Sequence, residues 1–170
     1  YETYRGSHYT VEQTKLYDAP HEPPPIIIAA KAENAARLAA AKGDGTMNTS
    51  PDGEIVKVFE DAGGTGPIYG KVTGAFAPSE HDARKLARAR EPNTAMGGDL
   101  ATELALPRDF EAVAELVREE DLEGSVVLGA DPGKWREKID EFEQAGFTHV
   151  ALHDVGHDQR GFIEFARRFL

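Results

Sequence analysis

The chain has 170 residues, the length of one ordinary domain, which is enough to bury a hydrophobic core. It contains no cysteine, so neither a disulfide framework nor a thiolate metal site is available. Its 30 Asp and Glu residues outnumber its 19 Lys and Arg residues, and the net charge is -11. This balance argues against a nucleic-acid partner, because phosphates require a basic surface. No apolar run approaches the roughly 18 residues of a membrane-spanning helix and no signal peptide is visible, so we expect a cytoplasmic protein with no membrane partner.

The distribution of the acidic residues leaves two explanations open. They are spread over the predicted helix surfaces and form no acidic tail, so disorder is not indicated. An evenly acidic surface with few lysines suits a halophilic protein, because surface charge keeps a protein hydrated at high salt. An ordinary acidic protein from a low-salt cytoplasm fits the composition nearly as well.

Residues 1–25 predict an extended N-terminal segment that ends in a proline-rich linker. The stretch Tyr4–Val11 is typical of a short strand that turns at Gly6, and the run to Tyr17 can pair with it. Tyr1 is not an initiator residue, and the aromatic side chains of this segment need a partner surface. We therefore expect the chain to be a piece of a longer protein.

The region Ile26–Ser50 predicts a βαβ unit around which the other elements are organised. Ile26–Ala30 is a continuous run of β-branched and small residues, typical of a strand buried on both faces of a parallel sheet. Residues 34–42 are good helix formers, and we expect Gly43 to cap their helix in the left-handed conformation. A second strand, Thr46–Thr49, then runs parallel to the first.

The alternation of helices and strands continues to the C-terminus. We expect the next helix to begin at Pro51, with this proline in its first turn, and a third strand to cover Val72–Ala77. The irregular insertion around residues 91–107 is long enough to indicate a functional loop. The remaining predictions, in chain order, are a helix from Ser79, a helix around Phe110–Val117, a short extended stretch at Ser125–Leu128, a helix from Asp131 to Gly146, a strand at His149–His153 and a final helix around Phe162–Phe169.

This alternation places residues 26–170 in the α/β class, with a parallel sheet. The four principal strands are too few for a complete (β/α)8 barrel, which takes about 250 residues. The short returns between the strands are nevertheless typical of barrel units.

Several segments follow one another in an order that is typical of a known family. They are Ile26–Ser50, the helix start Gly129–Pro132, the turn and strand Ala145–Val150, the tail Gly156–Gln159, and the opening Tyr4-Arg5-Gly6 with Tyr9. On these segments the chain resembles the C-terminal half of the luciferase-like monooxygenase superfamily. It most closely resembles the coenzyme F420-dependent oxidoreductases similar to F420-dependent glucose-6-phosphate dehydrogenase. The resemblance covers essentially all 170 residues.

The resemblance implies a fold, a cofactor and a reaction. The fold is the C-terminal half of a TIM-type (β/α)8 barrel, in which the four predicted strands are strands five to eight. The reaction is hydride transfer at C5 of the deazaflavin F420, to or from a small organic substrate. FMN is the alternative cofactor, in a luciferase-like monooxygenase. In the family the other half of the barrel supplies the acid and base groups, so the catalytic residues of this chain are unknown.

Two further expectations concern the isolated chain. A stand-alone half-barrel, from a truncated gene, a proteolytic fragment or a design, could persist as a folded but inactive unit, and this non-catalytic alternative stays open. The predicted edge strands Ile26–Ala30 and His149–His153 would expose unpaired backbone groups. We therefore expect a partner, which is either the missing N-terminal half-barrel or a second copy of the chain in a homodimer.

The resemblance places the cofactor at two loops. The loop Ala30, Lys31 and Ala32 follows the first barrel strand, and the family's two phosphate-contacting glycines correspond to Lys31 and Ala32. The backbone of such a loop can still present N–H groups to an anion, although a plain connecting loop fits equally well. Thr49 and Ser50 match the family's Thr-Ser pair and could hydrogen-bond the cofactor. The alternative is that they cap the following helix.

The substrate of the glucose-6-phosphate relatives is not expected here. Those enzymes hold the phosphate with basic side chains, and by spacing the equivalent positions are Asp52, Ala101 and Ser125. None of these residues is basic, and a carboxylate at Asp52 would repel a phosphate dianion. The sequence thus favours another alcohol, aldehyde or activated double bond.

The histidines near the C-terminus raise the question of a metal site. His149 and His153 lie on the same side of one predicted strand, and His157 and Asp158 follow it. Alternate residues of a strand are about 7 Å apart, which is too far for a compact metal site, so we expect no metal. We expect His153 and His157 to form hydrogen bonds in the barrel mouth, and the segment Gly156–Arg160 to fix the last helix.

Overall fold

A five-stranded sheet forms the centre of the computed structural model, which describes residues 1–97 and 100–170. The strands of the chain are β1 (Glu2–Arg5), β2 (Thr10–Thr14), β3 (Ile27–Ala29), β4 (Gly45–Asn48), β5 (Ile68–Ala75), β6 (Val127–Leu128) and β7 (His149–Asp154). The helices are α1 (Glu33–Lys42), α2 (Gly53–Asp61), α3 (Glu80–Arg90), α4 (Leu100–Glu103), α5 (Pro107–Leu116), α6 (Pro132–Gln144) and α7 (Gln159–Ala166), with 3-10 turns at Pro92–Ala95 and Glu119–Leu122.

The main sheet is parallel throughout, and β5 is its central strand. β3 pairs with β4, β4 pairs with β5, and β7 pairs with the opposite side of β5 from Tyr69 to Gly74. The short strand β6 adds to the end of β5 at Gly74 and Ala75. The spatial order of the four principal strands therefore follows the chain, as in consecutive strands of a (β/α)8 barrel. This confirms the predicted α/β class and the half-barrel.

Strands β1 and β2 form a separate antiparallel hairpin. Its turn is closed by a hydrogen bond from the Gly6 N–H to the Tyr9 carbonyl, which confirms the predicted turn. The aromatic side chains of this hairpin contact one another, with Tyr4 on Tyr9 and Tyr1 on Tyr17. All four rings remain exposed, so within the described residues the hairpin contributes no buried aromatic side chain to the core.

The hydrophobic core lies between one face of the sheet and the helices. In-register residues on this face include Ile28, Thr46 and Ile68, followed by Val72 beside Leu152. The helices cover them with aromatic side chains, of which Trp135, Phe142, Phe162 and Phe165 are buried in one cluster. α1 approaches through small residues instead, because Ala36 and Ala39 are its buried side chains.

The opposite face of the sheet corresponds to the lumen of a barrel, since successive side chains of a strand point to opposite faces. Its in-register residues are Ala29 with Met47, Tyr69 with His149, Lys71 with Ala151, and Thr73 with His153. Ala29, His149 and Ala151 are exposed, and the others are half-buried. The lumen face is therefore much less covered than the helical face.

Several predicted boundaries shift by a few residues. β4 ends at Asn48, so Thr49 lies in the loop after the strand, and β5 begins at Ile68, earlier than predicted. The stretch at Ser125–Leu128 does contribute a strand, although it has only two residues. The segment 91–107 contains a 3-10 turn and α4, and its residues 98–99 lie outside the described part of the chain.

Two predictions about helix ends are wrong. Gly43 has φ -99°, so it does not cap α1 in the left-handed conformation. A Cβ at this position would lie 3.0–3.1 Å from three backbone carbonyl oxygens, so close packing is the constraint on Gly43. Pro51 is not in the first turn of α2, because Asp52 is the N-cap and the helix begins at Gly53.

None of the helices in the described part of the chain combines the length and apolar character that crossing a bilayer would require.

Glycines in β5 allow α6 to pack directly on the sheet. A Cβ at Gly70 would collide with the ring of Phe142, and a Cβ at Gly74 would collide with the indole ring of Trp135. Trp135 cannot move easily, because it is fully buried and its Nε1–H donates to the Gly129 carbonyl oxygen at 3.0 Å.

We predict that Gly74→Ala destabilises the chain by about 1–3 kcal/mol, the usual cost of overpacking a core. The measurement is the free energy of unfolding from urea denaturation. Gly97→Ala is the matched control, because a Cβ there would have no neighbour within 4 Å. Equal stability of the two variants would show that α6 does not press on β5.

Candidate functional site

The carboxyl ends of β3 and β4 meet at one edge of the sheet, where the predicted cofactor loops lie. The Ala30 N–H donates to the Met47 carbonyl oxygen at 2.9 Å, which continues the ladder for one residue beyond β3. Ala30 is buried, whereas Lys31 and Ala32 are exposed. Thr49 follows Met47 by two residues, so the two loops leave the sheet side by side.

The N-terminus of α1 has no side-chain cap. Its N-cap residue is Ala32, which lacks a polar side chain. By contrast, the N-caps of α2, α3, α6 and α7 are Asp52, Ser79, Asp131 and Asp158, and each of these side chains accepts a hydrogen bond from its helix backbone. The N-cap of α5, Leu106, resembles Ala32 in having no polar side chain. The first N–H groups of α1 therefore point towards the sheet edge without an acceptor from the N-cap side chain, and an anion could accept from them.

Thr49 and Ser50 are exposed in the loop between β4 and α2. Neither side chain caps the helix, because the Oδ1 atom of Asp52 accepts from the backbone N–H groups of Glu54 and Ile55 at 3.0 and 3.3 Å. The loop is held by Asn48, whose Oδ1 accepts from the Ser50 N–H at 3.1 Å. The capping alternative is thus excluded, and neither hydroxyl group has a hydrogen-bond partner among the residues that the structure describes.

A cleft of about 420 Å³ opens beside Thr49 and Ser50. Strand β5, the loop between β4 and α2, and the loop before β6 form the walls of this cleft. Helix α6 forms its base. The lining residues with polar side chains are Thr49, Ser50, Lys71, Thr73, Thr94, Ser125, Lys138 and Glu141.

The cleft brings together some of the predicted site residues and leaves others out. Thr49 and Ser50 line the cleft together with Ser125, which is far from them in the sequence. Ala30, Lys31 and Ala32 are not among the lining residues, so the loop after β3 is a separate feature of the same edge. The Asp52 carboxylate caps α2. The side chain of Ala101 is not among the described parts of the chain.

The C-terminal histidines have separate surroundings. The ring of His149 lies 4.9 Å from that of Tyr69, and its Nδ1 is 2.9 Å from Thr148 Oγ1. His157 contacts the guanidinium of Arg90, in agreement with the hydrogen bond expected for it. The structure does not show the hydrogen bond expected for His153 at its Nδ1, which is buried and, within the described residues, has no hydrogen-bond partner. No group of three or more potential metal-binding side chains occurs among the residues described.

The tail of the chain behaves as predicted. The Asp158 Oδ1 accepts from the Gly161 N–H at 2.9 Å and caps α7. The Gln159 Nε2 donates to the Gly156 carbonyl oxygen at 2.9 Å. Together these hydrogen bonds fix the start of the last helix against the end of β7.

Asp154 is a structural residue of this edge that sequence reasoning missed. It is buried at the end of β7, and its Oδ1 accepts from the Phe76 N–H at 2.8 Å, just beyond β5. Within the described residues its buried Oδ2 has no hydrogen-bond partner. In the sequence, the signal for this structural role is a single acidic residue at the end of the strand that pairs with the central strand.

Charged side chains around the cleft are mostly neutralised by their neighbours. The hydrogen bond from Lys134, at 2.7 Å, and that from Arg84 lower the pKa of the Glu80 carboxyl. Hydrogen bonds to Glu123 and then Glu80 raise the pKa of Arg84. The two oxygens of Glu141 accept from Lys138 at 2.9 Å. Lys71 differs, since among the described residues its ammonium has no hydrogen bond or ion pair.

Comparison with known families identifies the arrangement. Residues 1–149 match the family model of the luciferase-like monooxygenases. The chain belongs to this family. This confirms the resemblance that was inferred from the sequence.

Similar proteins within the family include enzymes named for coenzyme F420. The F420-dependent glucose-6-phosphate dehydrogenase of Segniliparus rotundus is 28% identical over 181 aligned positions, which cover 98% of this chain and 53% of that enzyme. The corresponding enzyme of Mycolicibacterium smegmatis is 26% identical and is covered to 53%. The chain thus spans about half the length of the curated relatives it matches.

A solved structure shows the same fold. An F420-dependent secondary alcohol dehydrogenase, in complex with an F420–acetone adduct, superposes with a TM-score of 0.74 at 18% identity. The superposition covers 99% of this chain and 55% of that one. The luciferase-like fold of this chain is therefore that of a partial barrel.

Proposed function

We propose that the chain forms the C-terminal half of an F420-dependent oxidoreductase that transfers a hydride to or from a small organic substrate. The observation that carries the proposal is the family match together with two polar loops at the carboxyl edge of the sheet. The names of the similar enzymes support F420 as the cofactor, and FMN is the comparison. A cytoplasmic location stays a prediction from the sequence, which shows neither a long apolar run nor a signal peptide.

The residues of this edge fit the anionic part of such a cofactor. The N-terminus of α1 offers backbone N–H groups without a competing N-cap side chain, and Lys31 adds an exposed positive charge beside them. Thr49 and Ser50 offer hydroxyl groups that the α2 cap does not use. These residues would bind and orient the cofactor, whose deazaflavin ring supplies the hydride-transfer chemistry when bound.

Glucose 6-phosphate is not the substrate that we propose. Of the three positions equivalent to phosphate-binding residues, Asp52 is acidic and Ser125 is neutral, and the third is Ala101. The side chain of Asp52 caps α2 as an acceptor, and its carboxylate would still disfavour a nearby phosphate dianion. The absence of basic residues at these positions remains the argument against this substrate.

Titration with F420 tests the proposal, with FMN in parallel, by following the fluorescence of each cofactor. Saturable binding of F420 with weaker binding of FMN is expected. Tighter binding of FMN would instead favour a flavin-dependent monooxygenase. Saturation by neither cofactor would favour the inactive half-barrel.

The variant Lys31→Glu should weaken F420 binding more than tenfold, equivalent to about 1.4 kcal/mol, because it places a carboxylate beside an anion site. The dissociation constant from the fluorescence titration is the measurement. Lys57→Glu is the control, since it makes the same charge change on the exposed surface of α2. If both variants bind F420 like the parent chain, the loop after β3 is not part of the site.

The isolated 170-residue chain should not reduce F420 with small alcohols such as ethanol or 2-propanol. The reason is that in the family the other half of the barrel supplies the acid and base groups. Loss of F420 absorbance under steady-state conditions is the measurement, with heat-denatured chain as the background. Turnover above that background would place the catalytic groups within this half.

The chain should not remain a free monomer of 18.5 kDa. Within the described residues β3 pairs only with β4, and β7 pairs only with β5, so each has one open edge. Light scattering after gel filtration should detect a larger species, with either a second copy or the other half of the barrel.

The variant Ala29→Lys gives this prediction its control, because a charge on the exposed end of β3 opposes strand pairing. It should shift the distribution towards the monomer. A sharp monomer peak for the parent chain would contradict the predicted pairing of the edges.

A further inference from the structure

The central strand has a gap in its pairing on the side of the cleft. β4 accompanies β5 only as far as Gly70, and β6 joins it only from Gly74. Residues 71–73 lie between these two partners, and no described strand pairs with them on that side. β7 covers the other side of β5 without interruption over the same residues. The cleft therefore reaches backbone groups of β5 that, among the described strands, are not paired on this side.

The walls of this gap are rich in hydroxyl groups. A hydroxyl can both donate and accept a hydrogen bond, so a group of them can bind a hydroxylated or oxygen-rich ligand in several orientations. Those that line the cleft come from four different segments of the chain and are Thr49, Ser50, Thr73, Thr94 and Ser125.

Among the described residues, Lys71 supplies the cleft with a positive charge that no acidic side chain pairs. The charged residues that line the cleft are Lys71, Lys138 and Glu141, so two ammonium groups accompany a single carboxylate. Both oxygens of Glu141 accept from Lys138, so this pair is already neutral. The remaining charge is unusual in a chain whose net charge is -11.

The position of Lys71 makes this charge effective. The residue is half-buried on the lumen face of the central strand, where water screens a charge less than on an open surface. The ammonium has no acceptor among the described residues, so an anionic ligand could form an ion pair with it. One positive charge matches one negative charge, so a carboxylate fits this site better than a phosphate dianion.

We propose that the cleft binds the carboxylate of a small hydroxylated compound, with Lys71 as the counter-ion and the surrounding hydroxyl groups as hydrogen-bonding partners. This proposal rests on the function proposed above, because it names the class of substrate that the proposed oxidoreductase would bind at the same edge of the barrel. It assigns the substrate end of the site to Lys71, and leaves the anionic part of the cofactor to the loop after β3.

Glycerate is a suitable probe, because it is a small carboxylate with two hydroxyl groups. Titration of the isotopically labelled chain, followed by NMR, should show saturable shifts at the cleft residues. Glycerol, which lacks the charge, should bind at least tenfold more weakly. Inorganic phosphate should also bind more weakly than glycerate. Equal binding of glycerol would contradict a role for charge, and tighter binding of phosphate would overturn the assignment to a carboxylate.

Variants of the lysine test its role directly. Lys71→Met should weaken glycerate binding at least tenfold, whereas Lys71→Arg, which keeps the charge, should stay within about threefold of the parent chain. Lys57→Met is the control for loss of a lysine outside the cleft. If Lys71→Met leaves glycerate binding unchanged and alters only the thermal midpoint or the assembly, Lys71 is a structural residue and the proposal is wrong.

The titration needs no F420, so its outcome is separate from that of the cofactor experiment. Binding of glycerate without binding of F420 would retain the cleft and remove the proposed oxidoreductase. Binding of F420 with no saturable glycerate signal would retain the oxidoreductase and overturn the carboxylate site.

Discussion

The direct contact between β5 and α6 is the constraint on which the other parts of the structure depend. Two glycines of the strand leave room for aromatic rings of the helix, so the helix lies close to the centre of the sheet. The Trp135 ring then contacts both Phe162 and Phe165 of α7, which ties the last helix to the same core. Because β5 carries β4, β6 and β7, any change in its distance from α6 would be transmitted to the edge that carries the proposed site.

The two faces of the sheet divide the roles of the chain. The helical face is closed by packed aromatic and small side chains, and its glycines and alanines tolerate little change in volume. The lumen face carries polar and half-exposed residues such as Tyr69, Lys71 and Thr73. The polar residues on the lumen face of β5 alternate with core residues on the same strand. The residues that pack the core and those of the proposed binding site therefore lie on opposite faces of the same strand.

The fold could be predicted well from the sequence because its signals are local. The apolar run at Ile26–Ala30 and the alternation of later strands and helices identify the βα units, and their order indicates the barrel family. The conformation of Gly43 could not be predicted, since packing against backbone carbonyls at this position depends on the neighbouring strand. The capping role of Asp52 was not predicted, because spacing alone does not tell a cap from a ligand contact.

The candidate site was predicted only in part. Thr49 and Ser50 were identified by their resemblance to a family motif, and whether they bind a cofactor stays a prediction. Lys71 was not identified, because a lysine in an alternating strand usually marks a solvated face. Its surroundings depend on where β4 ends and β6 begins, and strand ends are poorly determined by sequence.

The pairing of β5 with β7 has a consequence for how the chain folds. The Oγ1 of Thr148 accepts from the Ile68 N–H across 80 positions of sequence, whereas β3 and β4 are joined through hydrogen bonds that span 18. Closing the longer loop costs more chain entropy, so the segment from β3 to β5 can form as a nucleus before the C-terminal strand arrives. During synthesis this order also matches the direction in which the chain emerges. The long segment between β5 and β7 contributes Thr94, Ser125 and the α6 residues to the cleft. It would then be the last part of the chain to reach its native structure.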